Sequence, residues 1–149
     1  YVTLFPMLLG ILDTKSPHLP YLLDLLEDEN QLKSVAGVRS LSISDRYYGQ
    51  GDSYWTGPSW MPMNYLVLAS LHSKYAKTEG PYKNQATRVY KELRERILQN
   101  VIKDFENQGT VYEQYNDVSG MGQRGPLFTG WSALVLLIIT EQYSGIVDY

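Results

Sequence analysis

Cysteine is absent from the 149 residues. That excludes a disulfide, a thiolate-ligated zinc and a thiol nucleophile. Histidine is nearly absent too: His18 and His72 lie far apart and form no HExxH pair, which argues against a zinc enzyme. No metal and no other cofactor is expected. Positive charge is scarce. The formal net charge is −3, the sequence pI is about 5.3 and there is no Lys/Arg-rich tract, so a nucleic-acid partner is not expected. Long apolar runs are missing, since the longest, Ala133 to Ile139, falls far short of the roughly 20 residues that span a bilayer. No N-x-S/T acceptor occurs, and no basic segment precedes the apolar stretch Leu8 to Leu12, so a signal peptide is not read. The chain starts at Tyr1 and reads as a piece of a longer one.

What is present is a chain with 44% hydrophobic residues, enough for a sizeable core and against disorder. Its aromatic set is 13 Tyr and 3 Trp against 3 Phe. Polar-tipped rings suit a carbohydrate surface, where the ring face stacks on a sugar and the hydroxyl hydrogen-bonds. The same rings also serve as core packing with wet tips.

Along the chain, Tyr1 to Leu12 is apolar, and Pro6 opposes a long helix there. Ser16-Pro17 reads as a helix start, with Leu19, Leu22, Leu23 and Leu26 on one face and an end near Asn30. Gln31 to Trp60 has no sustained period and many Gly and Pro, and so long a loop is usually functional. A second helix is expected from about Met61 to Tyr75. A third, from about Tyr82 to Phe105, has Ala86, Tyr90, Leu93, Ile97 and Val101 inward, with Lys91, Glu92, Arg94, Glu95 and Arg96 on a solvated face. Gly109 to Val111 reads as a short extended piece and Asn116 to Pro126 as loop. Thr129 can cap a last helix, about Gly130 to Tyr143, whose apolar run suggests burial on both sides. With little strand signal, the expected fold is all-α: alternating buried and amphipathic helices, as in a barrel of helical hairpins with the site on loops at one end. Residues 1–149 read as part of a single domain.

The chemistry concentrates in Gly109 to Trp131. Glu113 stands between Tyr112 and Tyr115, and Gln114 and Asn116 are placed to orient it. A glycosidase usually needs two carboxyl groups flanking the bond, and Glu113 suits the base or nucleophile. The plain alternative is a surface Glu on a loop. Asp45 and Asp52 could line the same cleft, although Asp45 beside Arg46 reads more simply as a turn residue or local ion pair. Asp117 opens D-V-S-G-M-G, which lacks the alternating acids of a calcium loop and reads as a turn. Trp55 and Trp60 bracket Gly57-Pro58 and could floor a sugar subsite or simply anchor the loop to the core. Trp131 could wall it or merely lock the last helix.

YWTGPSWMPMNYL, Tyr54 to Leu66, resembles the Y-W-x-G-P-x-W-x-x-x-N-Y-L motif of glycoside hydrolase family 63, the family of the processing α-glucosidases. GTVYEQYNDVSGMGQRGPLFTGWSALVLL, Gly109 to Leu137, resembles that family's C-terminal signature. YVTLFPMLLG and the Leu-rich segment before GVRSLS are similar to it as well. The resemblance implies the C-terminal portion of an (α/α)6 barrel and an inverting exo-α-glucosidase. Its eukaryotic members remove the terminal α-1,2-linked glucose of the Glc3Man9GlcNAc2 N-glycan precursor in the endoplasmic reticulum lumen. It puts the catalytic base on Glu113. It puts the family's aromatic positions near the sugar on Trp55, Trp60 and Trp131, and its motifs add Tyr54, Gly57, Asn64, Tyr112 and Tyr115 as substrate-binding residues. The family's general acid, an Asp near a D-x-P-R motif, has no counterpart here. The implied partners are a glucosylated high-mannose oligosaccharide and the rest of the same catalytic domain, and the isolated fragment is expected to be inactive. Two alternatives stay open: another (α/α)6 glycosidase such as a trehalase, or a non-catalytic carbohydrate-binding helical module.

Overall fold

The computed structural model describes residues 1–143. Its order is a 3-10 turn Val2–Leu4, helix α1 (Phe5–Leu8), α2 (Leu19–Glu27), strands β1 (Lys33–Ser34) and β2 (Gly37–Val38), α3 (Met61–Ser70), α4 (Lys83–Gln108), β3 (Tyr112–Tyr115), β4 (Gly122–Pro126), a 3-10 turn Trp131–Ala133 and α5 (Leu134–Ile139). The chain is mainly helical, but it is not all-α. Two antiparallel ribbons, β1–β2 and β3–β4, occupy stretches read as loop.

The helices form where their apolar spacing requires. α2 buries Leu19, Leu22, Leu23 and Leu26. It starts later than Ser16-Pro17 suggests: Ser16 accepts the His18 N–H in a preceding turn, and Pro20 takes the position free of an amide requirement. α3 buries Met61, Tyr65 and Leu68 and continues as a π turn, Leu71–Tyr75. It packs against α1, α4 and α5. α4 buries Ala86, Val89, Tyr90, Leu93, Ile97 and Val101. It runs past Phe105 to Gln108 because Gly109 adopts φ +70° and donates its N–H to the Phe105 carbonyl, a left-handed cap that glycine accepts without strain. Its charged face is not uniformly solvated. Arg94 is half-buried and donates to the carbonyls of Ile138 and Ile139, tying α4 to the end of α5.

The last helix is shorter than Gly130 to Tyr143 and is not capped by Thr129; its first turn is 3-10 with Gly130 before it. Nor is it buried on both sides. Val135 and Ile138 face the core, whereas Leu136 is 63% exposed and Ile139 is exposed as well. Among the described residues, α5 packs on α3 and α4 with one flank only.

Candidate active site

Glu113 lies on β3, which pairs with β4 around an irregular register between Tyr112 and Gln114. Two glycines let this ribbon form against α4. An added Cβ at Gly122 would run into the Tyr112 ring and stand 2.8 Å from Asp104 Oδ2, so nothing larger fits. Asp104 accepts the Gly122 N–H, and Asn100, one turn earlier on α4, donates to the Gly120 carbonyl. The D-V-S-G-M-G segment is therefore a turn gripped by a helix. Asn116 caps it by accepting the N–H groups of Val118 and Ser119.

The half-buried Glu113 carboxylate accepts a short hydrogen bond from the Tyr54 hydroxyl. Tyr54 lies 59 residues earlier, in the long loop. That bond, then burial, pushes the Tyr54 phenol above its ordinary range, so it stays a proton donor at neutral pH. The Trp131 indole N–H donates to the Glu113 backbone carbonyl at 2.7 Å, and Ser132 Oγ donates to that of Tyr112. Gly125 stands next to the carboxylate: the nearest neighbours of a Cβ there would be the Phe128 ring and Glu113 Oε2.

The tryptophans form one wall. Trp55 stacks on Trp60 with centroids 3.9 Å apart and planes 9° apart. Trp60 meets Trp131 at 5.7 Å, and Trp131 meets Phe128 at 4.6 Å. Tyr54 lies edge-on to both Trp55 and Trp60. Trp60 is 1% exposed, whereas Trp55 is 53% exposed and offers its outer face. Trp60 is thus the support and Trp55 the platform.

Several residues read as sugar contacts have other work. Asn64 has no exposed surface: its Oδ1 accepts the Val38 N–H, and its Nδ2 donates to Ser59 Oγ and the Trp60 carbonyl. Gly57 is buried, donating to Ser40 Oγ. Tyr115 is buried, and Tyr112 packs on Gly122 and donates to Gln108. Glu113 is held by Tyr54 on its carboxylate and Trp131 on its carbonyl instead of by its sequence neighbours. Gln114 and Asn116 do not orient it either. Gln114 accepts from Gln123, its own Nε2 being buried without a partner, and Asn116 donates to Gln123. Asp45 and Asp52 accept the N–H groups of Tyr47 and Tyr54 as turn residues.

One buried cluster gave little sequence signal. Arg39 Nε donates to Asp117 at 3.0 Å, both side chains being almost fully buried, and Arg39 also donates to the carbonyls of Glu29 and Gln31. Tyr48 donates to the same Asp117 oxygen at 2.5 Å. With the backbone bridge between Ser59 and Tyr115, this fastens the long loop to the end of β3. A lone Arg between Val38 and Ser40 hints at a buried cation, but its partner is 78 residues away. Arg124, on β4, carries no sequence signal either. Its guanidinium sits 5.4 Å from the Tyr54 ring centre and donates to the Asp52 carbonyl.

Among the described residues, no group of three or more His, Cys, Asp or Glu side chains could hold a metal ion. A groove of about 570 Å³ runs along α4 from Tyr90 to Glu106, away from Glu113.

An oriented carboxylate beside a stacked aromatic platform is the equipment of a glycoside hydrolase site. The family model described as glycosyl hydrolase family 63 C-terminal domain matches residues 1–141, and the chain belongs to that family. It is 48% identical over 143 residues to a probable mannosyl-oligosaccharide glucosidase of Schizosaccharomyces pombe, covering 96% of this chain and 18% of that protein. It is 38% identical over 148 residues to alpha-glucosidase 2 of Arabidopsis thaliana, covering 96% and 19%. The chain thus spans about a fifth of the length of these relatives. Among solved structures, the GH63 mannosylglycerate hydrolase of Thermus thermophilus in complex with glucose aligns with TM-score 0.62 and 23% identity, over 91% of this chain and 29% of that one. At that identity the likeness concerns the fold alone.

Proposed function

We propose that this chain supplies the general base and part of the sugar-binding wall of an inverting exo-α-glucosidase. The observation that carries the reading is the Glu113 carboxylate, half-buried, held by Tyr54 and flanked by the aromatic wall. Glu113 deprotonates a water that attacks the anomeric carbon from the face opposite the leaving group. Trp55 stacks on a sugar ring, with Trp60 beneath it and Trp131 alongside. The general acid comes from outside this chain, about 6.5–9.5 Å from Glu113, the separation that leaves room for that water. The exposed apolar side chains Leu136 and Ile139 on α5 support packing against further helices of the same catalytic domain, arranged as an (α/α)6 barrel. The names of the relatives support a glucosylated high-mannose oligosaccharide as substrate. The finer form of the proposal is removal of the terminal α-1,2-linked glucose of Glc3Man9GlcNAc2 in the endoplasmic reticulum lumen.

The test follows glucose release from a triglucosylated oligomannose glycan by NMR, using the full-length protein that carries this chain. Native protein should release β-glucose. Glu113→Gln should lose roughly 10²–10⁴ in kcat with substrate binding kept, the size of a general-base contribution. Unchanged release in that variant removes Glu113 as base, and release of α-glucose removes inversion.

A further inference from the structure

The family motif reads Tyr54 as a substrate-binding residue, but its geometry is that of a residue already in use. Its N–H donates to Asp52 Oδ1, its carbonyl accepts the Trp60 indole N–H at 3.2 Å, its ring lies edge-on to Trp60, and its hydroxyl is given to Glu113. Arg124 reaches over from β4, covering the Tyr54 ring and donating to the Asp52 carbonyl two residues before it. The backbone is bent to allow this. Ser53 (φ +55°) and Arg124 (φ +70°) both occupy the left-handed region, which non-glycine residues avoid unless their surroundings hold them there. Two such residues, Ser53 just before Tyr54 in the long loop and Arg124 on β4 over the Tyr54 ring, mark a joint between the loop and the β3–β4 ribbon.

We propose that Arg124 and Tyr54 form a positioning relay for Glu113, in which Arg124 fixes the Tyr54 loop on β4 and the Tyr54 hydroxyl fixes the carboxylate. A base acts only from a narrow range of positions, so a small error in its placement costs rate, not substrate affinity. Tyr54 serves the base and does not contact the sugar, and Arg124 acts through Tyr54. The phenol, held above its ordinary range, keeps its proton to donate. The relay rests on reading Glu113 as the general base.

The test measures kcat and KM for exo-glucosidase activity in the full-length protein, for Glu113→Gln, Tyr54→Phe, Arg124→Ala and the Tyr54→Phe/Arg124→Ala double variant. Circular dichroism melts check that each variant is folded. Tyr54→Phe keeps the ring and its packing and should lower kcat roughly 10–100-fold with KM within about twofold. Arg124→Ala should lower kcat several-fold in the native background and by less than about twofold when Tyr54 is already Phe, because its effect passes through the missing hydroxyl. A raised KM at constant kcat for Tyr54→Phe would make it a substrate contact and overturn the relay. An equal cost of Arg124→Ala in both backgrounds would overturn Arg124's part. If Glu113→Gln keeps its kcat, the base reading fails and the relay with it. If Glu113→Gln is inactive and the other results go against expectation, the relay alone fails.

Discussion

Trp55 and Trp60 stack on one another, yet their substitutions should have opposite signatures. Trp55 presents an exposed face. Replacing it with Ala removes a stacking surface worth about 0.5–1.5 kcal/mol, so KM should rise roughly 2- to 13-fold in steady-state kinetics with little change in the melting temperature. Trp60 is buried beneath it, beside Trp131, with its N–H on the Tyr54 carbonyl. Trp60→Ala should cost about 3–5 kcal/mol in a denaturant melt. Equal stability losses in the two variants would contradict the division into platform and support. Polar residues at this scale follow the same logic of use. Asn64 is conspicuous in its motif, yet its amide holds the backbone of Val38 and Trp60, as a buried polar group must when no water reaches it.

At the scale of elements, the β3–β4 ribbon holds Glu113 in place, and α4 holds the ribbon. Gly122→Ala forces a methyl into the Tyr112 ring and toward Asp104. It should destabilise by about 1–3 kcal/mol and lower kcat, because the strand carrying Glu113 must shift. A variant with native melting temperature and native kcat would show that the ribbon yields at no cost. Much of this level was legible in the sequence. The inward faces of α2 and α4 follow from Leu and Tyr spacing, whereas α3 also buries Val67, Ala69 and Ser70, and α1 ends just before Gly10, whose φ is +66°. The ribbons were not legible. Lys33–Ser34 and Gly37–Val38 are two residues each, and Gly122-Gln-Arg-Gly-Pro carries no alternation of apolar and polar residues. Their strands exist because distant groups grip them: Asn64 on β2, and Asn100 and Asp104 on α4 against the Gly120–Gly122 turn. Glu113, Trp55 and Trp131 could be picked out as candidate site residues. Tyr54 as partner of Glu113, Arg124 and the Arg39–Asp117 pair depend on contacts across 59 to 78 residues, which no local pattern encodes.

For the whole molecule, the informative surface is the set of large apolar side chains left exposed among the described residues. Leu136 and Ile139 project from α5, and Ile102 and Phe105 from α4. Leu136→Glu would be close to neutral on a free surface. If, as proposed, the side chain packs against further helices in the full-length protein, the substitution should instead lower stability there by about 2 kcal/mol or more, read as a fall in melting temperature. An unchanged melt would mean that α5 faces solvent in the complete enzyme.

All three tryptophans of the chain belong to the one wall beside Glu113. The near-parallel contact of Trp55 with Trp60 couples two indole chromophores, and the third sits against Trp60 with its N–H on the Glu113 carbonyl. The indole emission and the indole bands of the near-ultraviolet ellipticity of this segment therefore come from the candidate site and from nowhere else in the chain. Light reports on this aromatic wall without any added label.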